Sequence, residues 1–319
     1  MKIGVVLNPA AGGGRMRLEW PFYRDALQRE FGTFTLRTTS GPGDAPVLAA
    51  ALAAEGCDVV VAAGGDGTVS EVADGLLNHM AAGGSQVALA VASVGTGADF
   101  ARAMGIPRRA DHFARAIAEQ PPRRIDAGRI TFATDAGEPR LRHFISIASL
   151  GISGEIDRVI NAASAKKRGR MSGRALFFWF TVREFLRFRF QHVRIEVEGE
   201  QPVEARIAVV AIANNRSFGG GMMIAPMAEM DDGLLEVVIV KAASRWRLVR
   251  DLRLVYSGAH VGLDTCVFLR GKKVTVTPLG DAAINSAALD LDGESPGRIP
   301  ATFEVLPSAI EVRGASRVR

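Results

Sequence analysis

The stretch Val61-Ala-Ala-Gly-Gly-Asp-Gly-Thr-Val-Ser-Glu-Val-Ala-Asp-Gly75 decides how the chain is read. An apolar run, Val59 to Ala63, ends in Gly64-Gly65-Asp66-Gly67-Thr68, and a helix-like pattern follows. Asp-Gly is ordinary turn chemistry, so a tight turn accounts for the loop by itself. Bare backbone at a helix N-terminus is also a ready anion site, because unpaired N–H groups and the helix dipole point outward. Thr68-Val-Ser-Glu71 predicts a capping box, with Thr68 at the N-cap and Glu71 reaching back. No Gly-Lys-Ser/Thr follows, so this is not a Walker loop. On the loop alone, turn and phosphate cradle stand level.

Two neighbouring stretches repeat the design. Ile3 to Leu7 reads as a strand entering Asn8-Pro-Ala-Ala-Gly-Gly-Gly-Arg15, and Val87 to Ser93 as one entering Val94-Gly-Thr-Gly-Ala-Asp-Phe-Ala101. The latter fails as a dinucleotide fingerprint, since Phe100 takes the place of the last glycine in G-x-G-x-x-G. Asp99 by itself suits the first turn of a helix, where the dipole favours negative charge. Helices are predicted over Leu18–Glu30, Ala45–Ala54, Val69–Met80, Ala98–Met104 and Ala110–Glu119, with further strands at Thr33–Thr38 and Asp58–Ala63. Such alternation predicts an open, Rossmann-like α/β sheet binding ligands at the carboxyl ends of its strands. Three glycine-rich loops there would converge on one crevice, which argues for a nucleotide.

Beyond about Ile125 the periodicity falls to two. Val193–Glu198, Val203–Ala213, Leu235–Val240, Val274–Thr277 and Leu289–Asp292 predict an antiparallel β-sandwich, interrupted by helices at Gly173–Phe190 and Ser244–Tyr256. The expected division is an α/β domain over 1–125 and a β-rich domain over 126–319, with room for the last residues to return to the first. A chain of 319 residues suits two domains.

The net charge of +5 is uneven. Lys166 to Arg194 holds nine basic residues, one acid (Glu184) and seven of the 21 aromatics, which suits an anionic membrane surface as well as nucleic acid. A core helix is the more common explanation for a pattern such as Ala175–Val182. No apolar run approaches the roughly 20 residues that cross a bilayer, and the N-terminal run is too short for a signal peptide. The expectation is a cytoplasmic protein touching the inner face of the membrane only at its surface. Cys57 and Cys266 read as buried thiols in a reducing compartment. The five histidines fit no triad or metal spacing, which leaves general-base work to a carboxylate. Asp126 alone reads as a solvated or ion-paired strand residue. Asp290-Leu-Asp-Gly-Glu294 carries the strongest hairpin signal in the chain, and Asp231-Asp-Gly-Leu-Leu is a turn whose acids could hold a hard cation.

In combination, Asn8-Pro9, Gly64–Thr68, Gly95-Thr-Gly-Ala-Asp-Phe100, Asp126, Asn214-Asn215, Gly219–Gly221, Ala225-Pro226, Asp232-Gly-Leu234 and Asp292-Gly-Glu294 resemble the diacylglycerol, sphingosine and ceramide lipid kinases and their bacterial relatives. The motifs run in family order over essentially the whole chain. The Gly-Gly-Asp-Gly-Thr element is shared with NAD kinases and phosphofructokinases, whereas the later ones are specific to the lipid kinases.

The resemblance implies an ATP- and Mg²⁺-dependent kinase acting on a lipid hydroxyl at a membrane surface, diacylglycerol or a relative. It implies nucleotide contacts from Asn8, Thr39, Gly64, Gly65, Asp66, Gly67, Thr68, Val69, Ser70, Glu71, Gly95, Thr96 and Gly97. Asp66 and Asp99 would address the phosphates through Mg²⁺, with Asp126 in the same network, and Glu294 would be the general base. A second, structural Mg²⁺ is implied at Glu229, Asp232 and Leu234. Ala98 departs from the family's usual asparagine. The rival readings are a soluble-substrate kinase of the NAD-kinase type and a non-catalytic relative that kept the scaffold. Exposed strand edges would permit a homodimer, and no nucleic-acid partner is expected.

Overall fold

The computed structural model describes residues 1–94, 97–134, 136–155 and 188–316. Gly95 and Thr96, and most of the basic aromatic segment, lie outside these.

The first part is built as its periodicity requires. Strands β1 (Ile3–Leu7), β3 (Val59–Gly64) and β4 (Ala88–Ser93) are buried at every position. Continuous apolar runs of this kind suit parallel strands covered on both faces. With β2 (Thr35–Thr38) they pair in parallel in the order β4-β3-β1-β2. The connections are α1 (Arg15–Phe31), α2 (Asp44–Ala54) and α3 (Asp66–Ala81). After β4 come the short α4 (Asp99–Ala103) and α5 (Ala110–Glu119).

The second part is antiparallel. It comprises β5 (Arg123–Ala133), β6 (Pro139–Phe144), β7 (Ile147–Gly151), β8 (Gln191–Val197), β9 (Val203–Ala213), β10 (Leu235–Lys241), β11 (Cys266–Gly271), β12 (Lys273–Pro278), β13 (Leu289–Leu291) and β14 (Arg298–Val312). Helix α6 (Arg245–Ser257) sits between β10 and β11, and α7 (Ala282–Asn285) precedes β13. In β8 burial alternates residue by residue, as a strand with one face on a core requires. In β9 the first half pairs with β8 and the second half with β7, which turns the sheet back on itself. Ile130, Phe144, Val193, Ile212 and Phe303 share the resulting core, separate from the one around Val5, Val61 and Leu89.

Beyond leaving room for the last residues to return to the first domain, sequence periodicity did not say how the parts join. The 15-residue β14 pairs antiparallel with β12 and β5, and at its end meets β4 in parallel through Val312 and Leu89. Hydrogen bonding therefore runs without a break from β2 to β11.

Candidate active site

The glycine loops leave the carboxyl ends of the adjacent strands β1, β3 and β4. Asn8 N–H donates to Ala63 O at 2.9 Å and Val94 N–H to Gly64 O at 3.1 Å, so the loops are laced side by side. At φ +63° a Cβ on Gly12 would stand 3.1 Å from Val94 O, so only glycine suits this approach. Thr39 closes the row from the end of β2, its N–H donating to Leu7 O at 2.9 Å.

The predicted capping box does not form. Gly65 is the N-cap of α3 and Asp66 its first helical residue, so the helix starts a turn earlier than the pattern suggested. Thr68 Oγ1 instead accepts from Asn8 Nδ2 at 2.9 Å, tying the β3 loop to the β1 loop. Glu71 is released for other work.

Asp66 and Asp99 do come together. A Cβ on Gly97 would lie 3.0 Å from Asp66 Oδ2 and 3.8 Å from Asp99 Oδ2. Burial, and then the charge of Asp99, push the Asp66 carboxyl above its usual range, against N–H donation from Asp99, Phe100 and Ala98. Asp99 is held by Arg102 Nη1 at 2.7 Å and by the N–H of Gly220, across from the second part of the chain, at 2.7 Å. Ala98 adopts a left-handed backbone (φ 48°, ψ 43°), a conformation asparagine takes more readily than alanine. This pair fits a divalent cation: it is all oxygen, and a cation would relieve the repulsion already raising Asp66.

Two α3 positions further along form a second group. The Glu71 carboxyl is pushed up to about 7 by burial, then by the charge of Glu294, with which it shares a hydrogen bond. Gly43 N–H donates to Glu71 Oε1 at 3.1 Å. Arg142 of β6 bridges Glu294 Oε2 (3.3 Å) and Asp74 Oδ2 (3.2 Å). Asp74 Oδ1 accepts from the His143 N–H at 2.7 Å and lies 3.0 Å from His143 Nδ1. The geometry is a polar chain from β6 through α3 to Glu294, buried at His143 and Asp74 and half-buried at Arg142 and Glu294. Asp74, Arg142 and His143 were not picked out from the sequence, although Asp74 stands three residues after Glu71 and so on the same helix face.

The hairpin signal and the proposed base prove compatible. Asp292 (φ 49°) and Gly293 (φ 94°) make a two-residue turn closed by Leu291 N–H to Glu294 O at 2.7 Å and Glu294 N–H to Leu291 O at 3.0 Å. The Asp292 carboxylate accepts from Ile147 N–H at 2.9 Å and from the Ser70 hydroxyl, and burial pushes it up to about 6. The turn thus locks the hairpin onto α3, with Glu294 against Glu71.

Asp126 is not a solvated strand residue. It is 1% exposed, and its oxygens accept from Gly233 N–H at 2.6 Å and Ser308 N–H at 2.7 Å. Asn214 Nδ2 donates to its carbonyl at 2.8 Å and to Ile145 O at 3.1 Å. These contacts pin the 229–234 loop to β5 and β14. In that loop Asp232 accepts from Leu234 N–H at 3.0 Å and pairs with Arg270, whose Nε also lies 2.9 Å from Glu236 Oε2. Arg270 takes the free carboxylate oxygen of Asp232 beside Glu229 and Leu234, just as Arg102 takes one oxygen of Asp99, so a cation at either place would have to displace a guanidinium. Among the described residues no three His, Cys, Asp or Glu side chains gather for a metal. Cys266 is half-buried rather than buried, and burial raises both thiols.

Comparison with known proteins supplies the chemical family. Residues 2–130 match the diacylglycerol kinase catalytic domain, and residues 146–314 match the YegS C-terminal NAD kinase beta sandwich-like domain. A diacylglycerol kinase of Mycobacterium tuberculosis is 32% identical over 98% of this chain and 94% of its own length. One from Bacillus subtilis is 29% identical over 97% and 94%. A crystal structure of a diacylglycerol kinase from Bacillus anthracis superposes with a TM-score of 0.68 at 20% identity, covering 98% of this chain and 96% of that one, a likeness of fold.

Proposed function

The chain belongs to the diacylglycerol kinase catalytic domain family and is a lipid kinase, and from that premise we propose that it moves the γ-phosphoryl group of ATP to a hydroxyl of a membrane lipid, diacylglycerol first among the candidates. One observation carries the reading. Helix α3 bears both Asp66, beside Asp99, and Glu71, beside Glu294. Five residues of helix separate them by about 7–8 Å along its axis. A phosphate held at the helix N-terminus and a hydroxyl held at Glu294 would then lie within reach of each other.

Phosphoryl transfer needs positioning and charge neutralisation more than covalent help. The loops after β1, β3 and β4 offer bare backbone for the phosphates, with Asn8 and Thr39 at their margins. Asp66 and Asp99 would hold Mg²⁺. That ion supplies charge neutralisation on the phosphate oxygens. Glu294 accepts the hydroxyl proton as the new P–O bond forms and the bond to ADP breaks. Glu71, raised to about 7, shares a hydrogen bond with Glu294, and Arg142 fixes the orientation of the Glu294 carboxylate. Asp126 acts at one remove, by holding the loop on which Gly233 lies.

Labelled ATP offered with diacylglycerol, phosphatidylglycerol, a sphingoid base, ceramide and NAD tests the reading. Label is expected in a lipid product, with diacylglycerol the strongest acceptor. Label in NAD and in none of the lipids would overturn it.

A further inference from the structure

Helix α6 breaks the rule for a surface helix, and it does so on one side. Its inner face is set by Leu248 and Asp251, both buried, with Val255 half-buried beside them. Outward it presents Trp246 (82% exposed), Val249, Leu252 and Tyr256 (55% exposed), and Val261 follows in the next turn. Among the described residues, five of the thirteen exposed large apolar side chains fall in these sixteen positions, so the patch is not scatter. Trp246, Val249, Arg253 and Tyr256 follow the i, i+3, i+7, i+10 spacing of a single helical stripe.

The charge on the same helix is one-sided. Arg245, Arg247, Arg250 and Arg253 face one acid, Asp251, whose carboxylate is turned inward to Arg247 and Arg250. Arg247 also pairs with Asp264. Arg245 donates to Phe188 O at 3.2 Å, which sets the start of the helix against Phe188–Phe190 and brings the exposed Arg189 into the neighbourhood. An apolar stripe of Trp and Tyr flanked by arginines has the composition of a helix lying in a membrane interface, where the rings sit at headgroup level and the guanidinium groups meet anionic lipid.

We propose that the outer face of α6 is a docking surface for an anionic lipid bilayer, seated by Trp246, Val249, Leu252 and Tyr256 and oriented by Arg253 and Arg189. The surface lies one loop from the candidate active site. Met223 N–H donates to Val255 O at 3.0 Å, and in the same loop Gly220 N–H donates to Asp99. A bilayer seated on α6 therefore bears on the loop that closes over Asp99. The proposal does not depend on which hydroxyl is phosphorylated.

The test is sedimentation of the full chain with vesicles of phosphatidylcholine, alone or mixed with phosphatidylglycerol. The wild type is expected to pellet with the mixed vesicles and to be released by salt. Trp246→Ala with Tyr256→Ala should lower partition at least about tenfold, since each removes a large apolar surface. Arg189→Glu with Arg253→Glu should abolish the preference for phosphatidylglycerol. Both variants change exposed side chains, so circular dichroism and turnover of a short-chain, water-soluble diacylglycerol should match the wild type. Failure of the wild type to pellet, or pelleting of both variants like the wild type, overturns the proposal. So does a lipid-free, concentration-dependent dimer that the aromatic variant abolishes, which would make the face a contact between copies. Absence of turnover on the soluble substrate by the wild type would count against the proposed function and leave the docking result standing.

Discussion

Helices α3 and α6 break the inside-out rule in opposite directions. On α3 the chain buries Thr68, Ser70, Glu71 and Asp74, while on α6 it exposes Trp246, Val249, Leu252 and Tyr256. Burying a polar side chain is costly unless it is satisfied, and on α3 each has a partner on another element: Asn8, Asp292, Gly43 with Glu294, and His143 with Arg142. The exposed apolar groups of α6 have a matching need, which a lipid surface would meet. Ordinary helices in the same molecule, such as α5 with Phe113 and Ile117 inside, obey the rule. The departure on α3 is met within the molecule, whereas the one on α6 is left for an outside surface.

The largest effect expected is at the partner of α3. Glu294→Gln keeps the hairpin hydrogen bonds, which are made by backbone, and should lower turnover about 10²–10⁴-fold with unchanged circular dichroism. A turnover within a fewfold of the wild type would take Glu294 out of the chemistry. Asp74→Ala leaves His143 without its carboxylate and Arg142 with Glu294 alone, and should lower stability by about 2–3 kcal/mol, read from the denaturant midpoint at constant m. A change below about 1 kcal/mol would mean that the buried polar row of α3 is not needed for folding.

A subtler effect comes from the shared proton. The Glu71 carboxyl sits at about 7 when folded, against an ordinary 4.5. Between those values the folded form keeps a proton that the unfolded chain has lost. The stability from this proton is full below the unfolded value and disappears as pH rises through 7. Glu71→Gln should flatten the dependence of stability on pH over that window, leaving a slope to which Asp292, at about 6, and the raised Asp66 contribute. Denaturation midpoints at several pH values read the difference, and identical slopes would show that the pair shares no proton. The smallest effect is at the end of α4 that Asp66 caps. Ala98→Gly relieves a left-handed alanine and should add about 0.5 kcal/mol after the greater freedom of glycine in the unfolded chain is subtracted. A loss of stability there would mean that the Ala98 methyl, which is buried, matters more than its backbone strain.

Much of this was legible beforehand because it is local. Apolar runs ending in glycines foretold β1, β3 and β4 with their loops, and Asp292-Gly293 foretold the turn before Glu294. The capping box misled because Thr68 and Glu71 have the right spacing for each other, yet stronger partners exist on β1 and on the 292–294 hairpin. The strands β5, β6 and β14 escaped because arginines and prolines interrupt their alternation, and it is pairing with one another that holds them extended.

The sequence by itself determined the kind of fold and the glycine loops, since each depends on residues within a turn or a strand of one another, and its motifs taken together carried the family resemblance. Only the tertiary structure decided that Glu71 meets Glu294, that Arg142 joins Asp74 to that pair, that Asp126 serves a loop, and which side chains of α6 face outward. Those outcomes depend on distances between segments far apart in the chain. Such distances are set by how helices and sheets pack, and no local pattern of residues records them.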